Sequence, residues 1–278
     1  MFDFRTRRQL ILYILMTIFL IIFFAPILYM LTTSLTPNEE QILKNMATFR
    51  AFIPTNVGLN NYIDVFERMP FGRFLFNSIF IVSTTILLGL VVNSMAAFAL
   101  ARFQFKGRNL IISTVLALMI IPFEAIAVPL LLITNRLGWL DSYHVQIIPF
   151  IANPFYIFLL YQFFINFPKE LEEAAIIDGA SWYKIYYKLA IPLSKPILAS
   201  VAILHFLMQW KRFLWPLMVT RGPAFRPLTV AMQVFFGQYP RLWGDIMAFA
   251  AMMTLPIVIL FIILQDRYVS TVARSGIK

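Results

Sequence analysis

The stretch Glu172–Pro196, EEAAIIDGASWYKIYYKLAIPLSKP, decides the reading of this chain. It sets acids, bases, a glycine and two prolines inside an otherwise apolar sequence. Just upstream, Asn166 is a candidate helix cap, and Pro168 stands where a first helical turn accepts proline. Glu170, Glu172 and Glu173 then place negative charge at the positive end of the helix dipole. Leu171, Ala174 and Ala175 recur at i, i+3 and i+4, a small apolar face that admits close approach. Asp178-Gly179 ends this helix, because glycine takes the left-handed conformation that a C-terminal cap requires. Ser181 caps a second helix in this reading. Its Trp182, Ile185, Tyr186 and Leu189 form an apolar stripe, and Pro192 and Pro196 stop it. The segment therefore reads as two short helices joined at a glycine, with apolar faces that need a protein partner.

The surroundings set the class. Of 278 residues, 60% are hydrophobic and 13% are charged, against roughly 45–50% and about 25% in soluble domains. Too little polar surface remains to cover a soluble fold of this length. An all-α, polytopic integral membrane protein is expected. A span needs about 20 apolar residues to cross about 30 Å of hydrocarbon. Six runs qualify: about Leu10–Leu31, Phe74–Ala101, Leu110–Ile133, Val145–Phe164, Ile197–Val219 and Ile246–Leu264. The first is too long for a signal-peptide core and reads as a retained span. In the first long loop, NYIDVFERMPFGRF reads as a short amphipathic helix on the membrane surface.

The chain has no cysteine, so disulfides, thiolate metal sites and cysteine nucleophiles are excluded. Its two histidines, His144 and His205, lie in no paired metal-binding spacing. No GxxxxGK[ST] loop is present to cradle ATP phosphates. The net charge of +10 is spread through loops beside apolar runs, which fits anionic lipid and not nucleic acid. An N-inside orientation puts Arg5, Arg7, Arg8, Arg102, Lys106, Arg108, Lys169, Lys184, Lys188, Lys195, Arg267, Arg274 and Lys278 on the cytoplasmic side. That is thirteen of the 23 basic residues, a weak bias toward both termini in the cytoplasm.

At Glu173-Ala174-Ala175, Gly179 and Ile191-Pro192 the sequence resembles the EAA signature of bacterial ABC importer permeases. It is most similar to the second permease of the maltose-type carbohydrate importers. NSIFIV, AFALARFQFKGR, IPFEAIAVPL, LGWLDSY and LPIVILFIILQDRYV extend the likeness along nearly the whole chain. The resemblance implies one transmembrane domain over 1–278, with a core of about 74–268 and a coupling segment of about 168–192. It implies a coupling helix between spans four and five, seated on a separate ATPase. Glu173, Ala174, Ala175, Asp178 and Gly179 would form that joint, with Glu173 meeting a basic residue of the ATPase. The implied partners are a homologous second permease, two ATPase subunits that bind ATP and Mg²⁺, an extracytoplasmic solute-binding protein and the lipid of a bacterial plasma (inner) membrane. This chain would hold no cofactor or metal and catalyse no covalent chemistry.

Glu124 is the one carboxylate inside the six runs, and an ionisable residue there suggests function. His205 and Gln209 share a helix face at i and i+4. They read either as a polar path or as an interhelical hydrogen bond. In WKRFLWPL, Trp210–Leu217, Lys211 stands where the family pattern has asparagine, and Arg212 follows. Such cations either favour an anionic solute, snorkel to the interface or pair with Glu124. The tail STVARSGIK also departs from the family's glycine-rich ending. Glu124, His205, Gln209 and Lys211 are the candidate substrate-path residues. The expected function is sugar or oligosaccharide import by alternating access. The alternatives are a permease for an anionic solute, such as a uronate oligosaccharide or phosphorylated polyol, and more remotely an ion-coupled secondary transporter. The last lacks the paired midplane charges it needs.

Overall fold

The computed structural model describes residues 4–275, with side-chain surroundings for residues 9–263. The side chains of Arg5, Arg7, Arg8, Arg267, Arg274 and Lys278, counted above for orientation, lie outside that range, as do those of the 270–278 tail. Every regular element among the described residues is helical. Helix α1 (Phe4–Ser34) leads to the short α2 (Glu39–Asn45) and α3 (Asn60–Arg68), then to α4 (Phe71–Arg102). Next come α5 (Arg108–Leu118), α6 (Phe123–Arg136), α7 (Tyr143–Ile147) and α8 (Pro154–Ile165). The opening segment holds α9 (Lys169–Ile177), α10 (Trp182–Ile185) and α11 (Ile191–Leu193). The chain continues through α12 (Lys195–Trp210), α13 (Leu214–Val219), α14 (Leu228–Phe236) and α15 (Trp243–Ser275).

Four stretches can cross a membrane by length and composition: Gln9–Ser34, Phe71–Arg102, Tyr143–Ile165 and Trp243–Ile263. The other two expected spans are bent. Helices α5 and α6 turn through 106°, and Trp182–Leu193 meets Lys195–Trp210 at 75°. The expectation of six spans holds if each bent pair counts as one, and the runs over Leu110–Ile133 and Ile197–Val219 are each interrupted. Pro122, extended at ψ 144°, lacks an N–H and breaks the first. The second ends at Trp210 and restarts as α13. The helix expected to stop at Pro192 and Pro196 passes Pro192 and ends at Leu193, before Pro196 and the 75° bend into α12. Around Pro192 the chain widens into a π-turn over Tyr186–Ala190, where Ile191 N–H reaches back to Tyr186 O. Pro196 falls in the first turn of α12, where its missing N–H costs nothing.

The chain packs as two compact units. One comprises the described part of Met1–Gly72 with Ala231–Leu260. Here α1 leaves Leu10 through Phe24 almost uncovered by protein, as a lipid-facing helix does. The short helix expected in NYIDVFERMPFGRF is α3, which ends at Arg68, and one of its faces packs inward. Val65 is fully buried, and the buried Asn61 amide donates to the carbonyls of Ser34 (3.0 Å) and Thr36 (2.9 Å). Arg68 donates to buried Asp245 at 2.5 Å and lies 4.8 Å from the centre of the Phe235 ring. Glu39 accepts from the amides of Trp243 (2.8 Å) and Gly244 (3.1 Å), placing an anion at the positive end of α15. Asp245 is thus a second carboxylate in a spanning stretch, one residue before the expected start of span six.

The other unit comprises Arg73–Val230 with the described part of Phe261–Lys278. Phe98, Tyr156, Leu160, Phe164, Ile185 and Val201 form its core, drawing α4, α8, α10 and α12 together. Asn93 of α4 acts as a polar clamp. Its Nδ2 donates to Ile151 O (2.8 Å), and its Oδ1 accepts from Asn153 N–H (2.8 Å). Asn153 in turn caps α8 through Phe155 N–H at 2.9 Å.

Breaking a buried ion pair from one side leaves an uncompensated charge. Arg68 is partly exposed, so Asp245→Ala should lower stability by about 1–3 kcal/mol, the cost of losing a hydrogen bond to a charged group, while exposed Glu67→Ala should stay within about 0.5 kcal/mol of wild type. Thermal melts of the detergent-solubilised protein decide this. Equal melting temperatures for the two variants would remove the pair from the stabilising contacts.

Candidate functional site

Two places carry chemistry. The first is the helix pair α9–α10. Helix α9 ends in paired 6→1 and 5→2 hydrogen bonds: Ala180 N–H to Ala175 O (2.9 Å) and Gly179 N–H to Ile176 O (2.9 Å). Gly179 sits at φ +74°, as the sequence requires of it. Ser181 accepts from Lys184 N–H at 3.4 Å and caps α10. Asn166, expected as the N-cap of α9, instead closes the C-terminus of α8, and Pro168 takes the cap position.

The apolar faces divide in a way the spacing did not reveal. The stripe expected to await a partner is largely used internally: Ile185 is buried, and Tyr186, Leu189 and Ala175 pack on the unit's own core. The uncovered apolar groups are others. Ile177 is 86% exposed and Tyr183 74% exposed, with Tyr187 and Ile176 beside them. Glu173, Ala174, Asp178 and Gly179 are exposed with them. Glu172, one residue from Glu173, turns inward. Arg102 Nε donates to its Oε1 at 2.6 Å, and both side chains are only about one-twentieth exposed. Burial pushes the Glu172 carboxyl above its ordinary range, and the Arg102 guanidinium opposes that rise. Sequence reading missed this pair because its members lie 70 residues apart.

The second place is a cavity of about 640 Å³ lined by Glu124, Lys211, Arg212, Asn153, Phe155 and Tyr156, among others. It opens at two breaks, the turn before α6 and the non-helical link at 211–213. Pro216 has no N–H to give to Arg212 O, four residues earlier. The Thr229 hydroxyl supplies that bond at 2.8 Å. Arg212 neither snorkels nor pairs with Glu124. Its guanidinium lies 3.6 Å from the Phe150 ring centre and 5.2 Å from that of Phe123, and its Nε donates to Gln209 Oε1 at 2.6 Å. Such a cation–π site suits arginine, whose planar group is weakly hydrated. Among the described residues no ion pair links Glu124 to Lys211 or Arg212.

Of the four expected path residues, Glu124 and Lys211 face the cavity, while His205 and Gln209 stand behind it. Gln209 holds Arg212. His205 is buried with its ring 4.7 Å from Tyr156 and packs against Gly89 of α4. No metal-binding cluster of His, Asp or Glu occurs among the described residues.

Residues 86–274 match the family described as binding-protein-dependent transport system inner membrane component. The chain is 35% identical to an arabinooligosaccharides transport system permease protein of Halalkalibacterium halodurans, over 91% of this chain and 90% of the relative. It is 34% identical to a trehalose/maltose transport system permease protein of Thermococcus litoralis, over 79% of this chain and 81% of the relative. In fold it is similar to a chain of a bacterial ABC transporter involved in import of the acidic polysaccharide alginate. That likeness has a TM-score of 0.85 at 23% identity, covering 96% of this chain and 98% of the other.

The contact between α4 and α12 gives a test. Alanine is favoured over glycine within a helix by about 1 kcal/mol. A Cβ on Gly89, however, would stand 2.7 Å from His205 Cε1 and 3.1 Å from Ile151 O. Gly89→Ala should therefore destabilise by about 1–3 kcal/mol, and much less in a His205→Ala background. A double-mutant cycle of melting temperatures measures the difference. Equal losses in both backgrounds would refute the close contact.

Proposed function

The chain belongs to the family of binding-protein-dependent transport system inner membrane components, and from that premise we propose that it forms one half of a path carrying sugar or oligosaccharide across the membrane. It is a membrane-embedded permease subunit of an ABC importer and not an enzyme. Energy comes from an ATPase partner and solute from a binding protein, as the family's description implies. In our reading the whole chain, 1–278, acts as one transmembrane domain in a bacterial inner membrane, with both termini and α9–α10 in the cytoplasm. A homologous second permease completes the path. Two ATPase subunits hold ATP and Mg²⁺, for which this chain has no phosphate-binding loop.

The observation that carries this reading is the exposed α9–α10 pair. An apolar surface of Ile176, Ile177, Tyr183 and Tyr187, edged by Glu173 and Asp178, is left uncovered by the rest of the chain on a segment too charged to enter hydrocarbon. It suits a cleft on the ATPase, with Glu173 meeting a basic side chain there. ATPase closure then moves the helix pair, and the bundle exchanges inward-facing for outward-facing states. Solute passes through the region of Glu124 and Lys211. The cavity sets a carboxylate and two cations among aromatic rings. That mixture supplies donors and acceptors for hydroxyl groups and apolar faces for sugar rings. The carbohydrates that name the similar permeases support a sugar over an anionic solute.

Two measurements on the complete importer in proteoliposomes test this. Glu173→Ala and Ile177→Asp should each lower the ATPase stimulation given by sugar-loaded binding protein about tenfold or more, with assembly unchanged. Unchanged stimulation would remove α9–α10 from the coupling joint. Glu124→Gln and Lys211→Met should slow sugar uptake about tenfold, the effect of losing one hydrogen bond to a charged group. Wild-type uptake in both variants would remove this cavity from the path.

A further inference from the structure

Helix α9 touches the rest of its unit very differently on its two sides. Glu173 faces out. Glu172, about 100° round the helix, faces in and meets Arg102, the last residue of α4. Arg102 also donates from Nη2 to Phe167 O at 2.7 Å, and its guanidinium lies 5.7 Å from the centre of the Phe167 ring. One arginine thus ties together the end of α4, the turn after α8 and the back of α9. The loop beyond it is fixed as well, because Arg108 Nε donates to Leu100 O at 2.6 Å.

The rest of the helix pair also leans on α4. Phe103 meets Trp182 edge-on at 5.2 Å, Phe98 meets Tyr186 at 5.3 Å, and Ser94 Oγ lies 2.8 Å from Tyr186 Oη. Unlike α1 and α15, α4 has no internal proline across its 32 residues. At 1.5 Å per residue it is a lever of about 48 Å. Packed aromatic rings can slide past one another, whereas two charge-assisted hydrogen bonds from one rigid guanidinium fix direction and distance.

We propose that the Arg102–Glu172 pair is the strut that carries displacement of α9 into α4, so that Glu172 and Arg102 are positioning residues for coupling ATP hydrolysis to transport. This rests on the reading of α9–α10 as the ATPase contact. Glu173 and Ile177 make that contact. Glu172, behind them, turns it into movement of a span.

The readout is sugar transported per ATP hydrolysed by the complete importer in proteoliposomes, at equal amounts of assembled complex. Damage to folding lowers the amount of complex and both rates together. Loss of the strut lowers their ratio. Glu172→Gln and Arg102→Met should each reduce transport per ATP about tenfold, while binding-protein-stimulated hydrolysis persists. Arg102→Lys, which keeps the charge but not the fork, should recover part of it. Because a lone buried charge can impair assembly, the pair is also replaced as a whole by Arg102→Met with Glu172→Met. That variant leaves no charge behind and should assemble, with transport per ATP still several-fold low. A wild-type ratio in the double variant, or in either single variant, would overturn the proposal. Glu173→Ala run alongside separates the two readings. If its stimulation is lost while the Arg102 and Glu172 variants keep a wild-type ratio, the strut fails and the ATPase contact stands. If its stimulation is intact, the contact fails.

Discussion

A backbone carbonyl without a partner costs several kcal/mol in hydrocarbon, and every proline inside a spanning helix creates that problem. The way this chain meets it shapes both places of interest. At Pro216 the freed carbonyl of Arg212 is taken by the Thr229 hydroxyl, so the link at 211–213 stays open beside the cavity. At Pro192 the helix widens by one residue, and Ile191 N–H bonds to Tyr186 O. The chain thereby stays helical from α10 to Leu193, and the 75° bend into α12 falls at the break that follows. At Pro122 the helix stops altogether and restarts at 106°, which brings Glu124 to the cavity wall in the first turn of α6. At these three prolines helix geometry is altered, whereas Pro26, Pro129 and Pro256 lie within continuous helices.

Charge in the same unit obeys a related rule. Desolvated ions persist only where geometry compensates them. Arg102 and Glu172 pair with each other, with Phe167 O as a further acceptor for the arginine. Arg212 uses aromatic faces and the Gln209 amide oxygen in place of a carboxylate. A cation–π contact of this kind is worth about 2 kcal/mol or more when desolvated. It leaves the far side of the guanidinium toward the cavity uncommitted to an anion. Lysine would do this poorly, since its ammonium is more strongly hydrated and has no planar face to lay on Phe150. Arg212 and Lys211, adjacent and equal in charge, therefore have different work: one is built into the wall, the other stands at the opening.

Much of the helix pair was legible from local chemistry. Gly179, Ser181 and the breaks around them rest on conformational preferences that act within a few residues. The membrane class and the number of apolar runs were legible from composition and length. What escaped depended on partners distant in sequence. The spacing places Glu172 and Glu173 on different sides of α9, but only Arg102, on another helix, determines which one turns inward. The i, i+4 relation of His205 and Gln209 correctly put them on one face of α12. It could not say that this face lies behind Tyr156 and Arg212 and not on the cavity. The clamp at Asn93 is equally distant in sequence, since its partners Ile151 and Asn153 lie 58 and 60 residues away. The bends were missed because hydropathy averages over a window in which one proline weighs little.

A buried ion pair is rarely kept for stability alone, since apolar residues of similar size often serve as well. The pair at the foot of α4 therefore calls for another account. An apolar contact between α4 and α9 would hold the helices together while permitting slip, because dispersion is nearly indifferent to small lateral shifts. Charge-assisted hydrogen bonds are short and directional, so the same separation is maintained under load. The pair stands where the exposed helix meets the one long span of its unit without a proline. In the mechanism proposed above, the broken α5–α6 and α11–α12 spans would let the cavity wall change shape, and stiffness at this one joint would make such a change follow from movement of the helix pair.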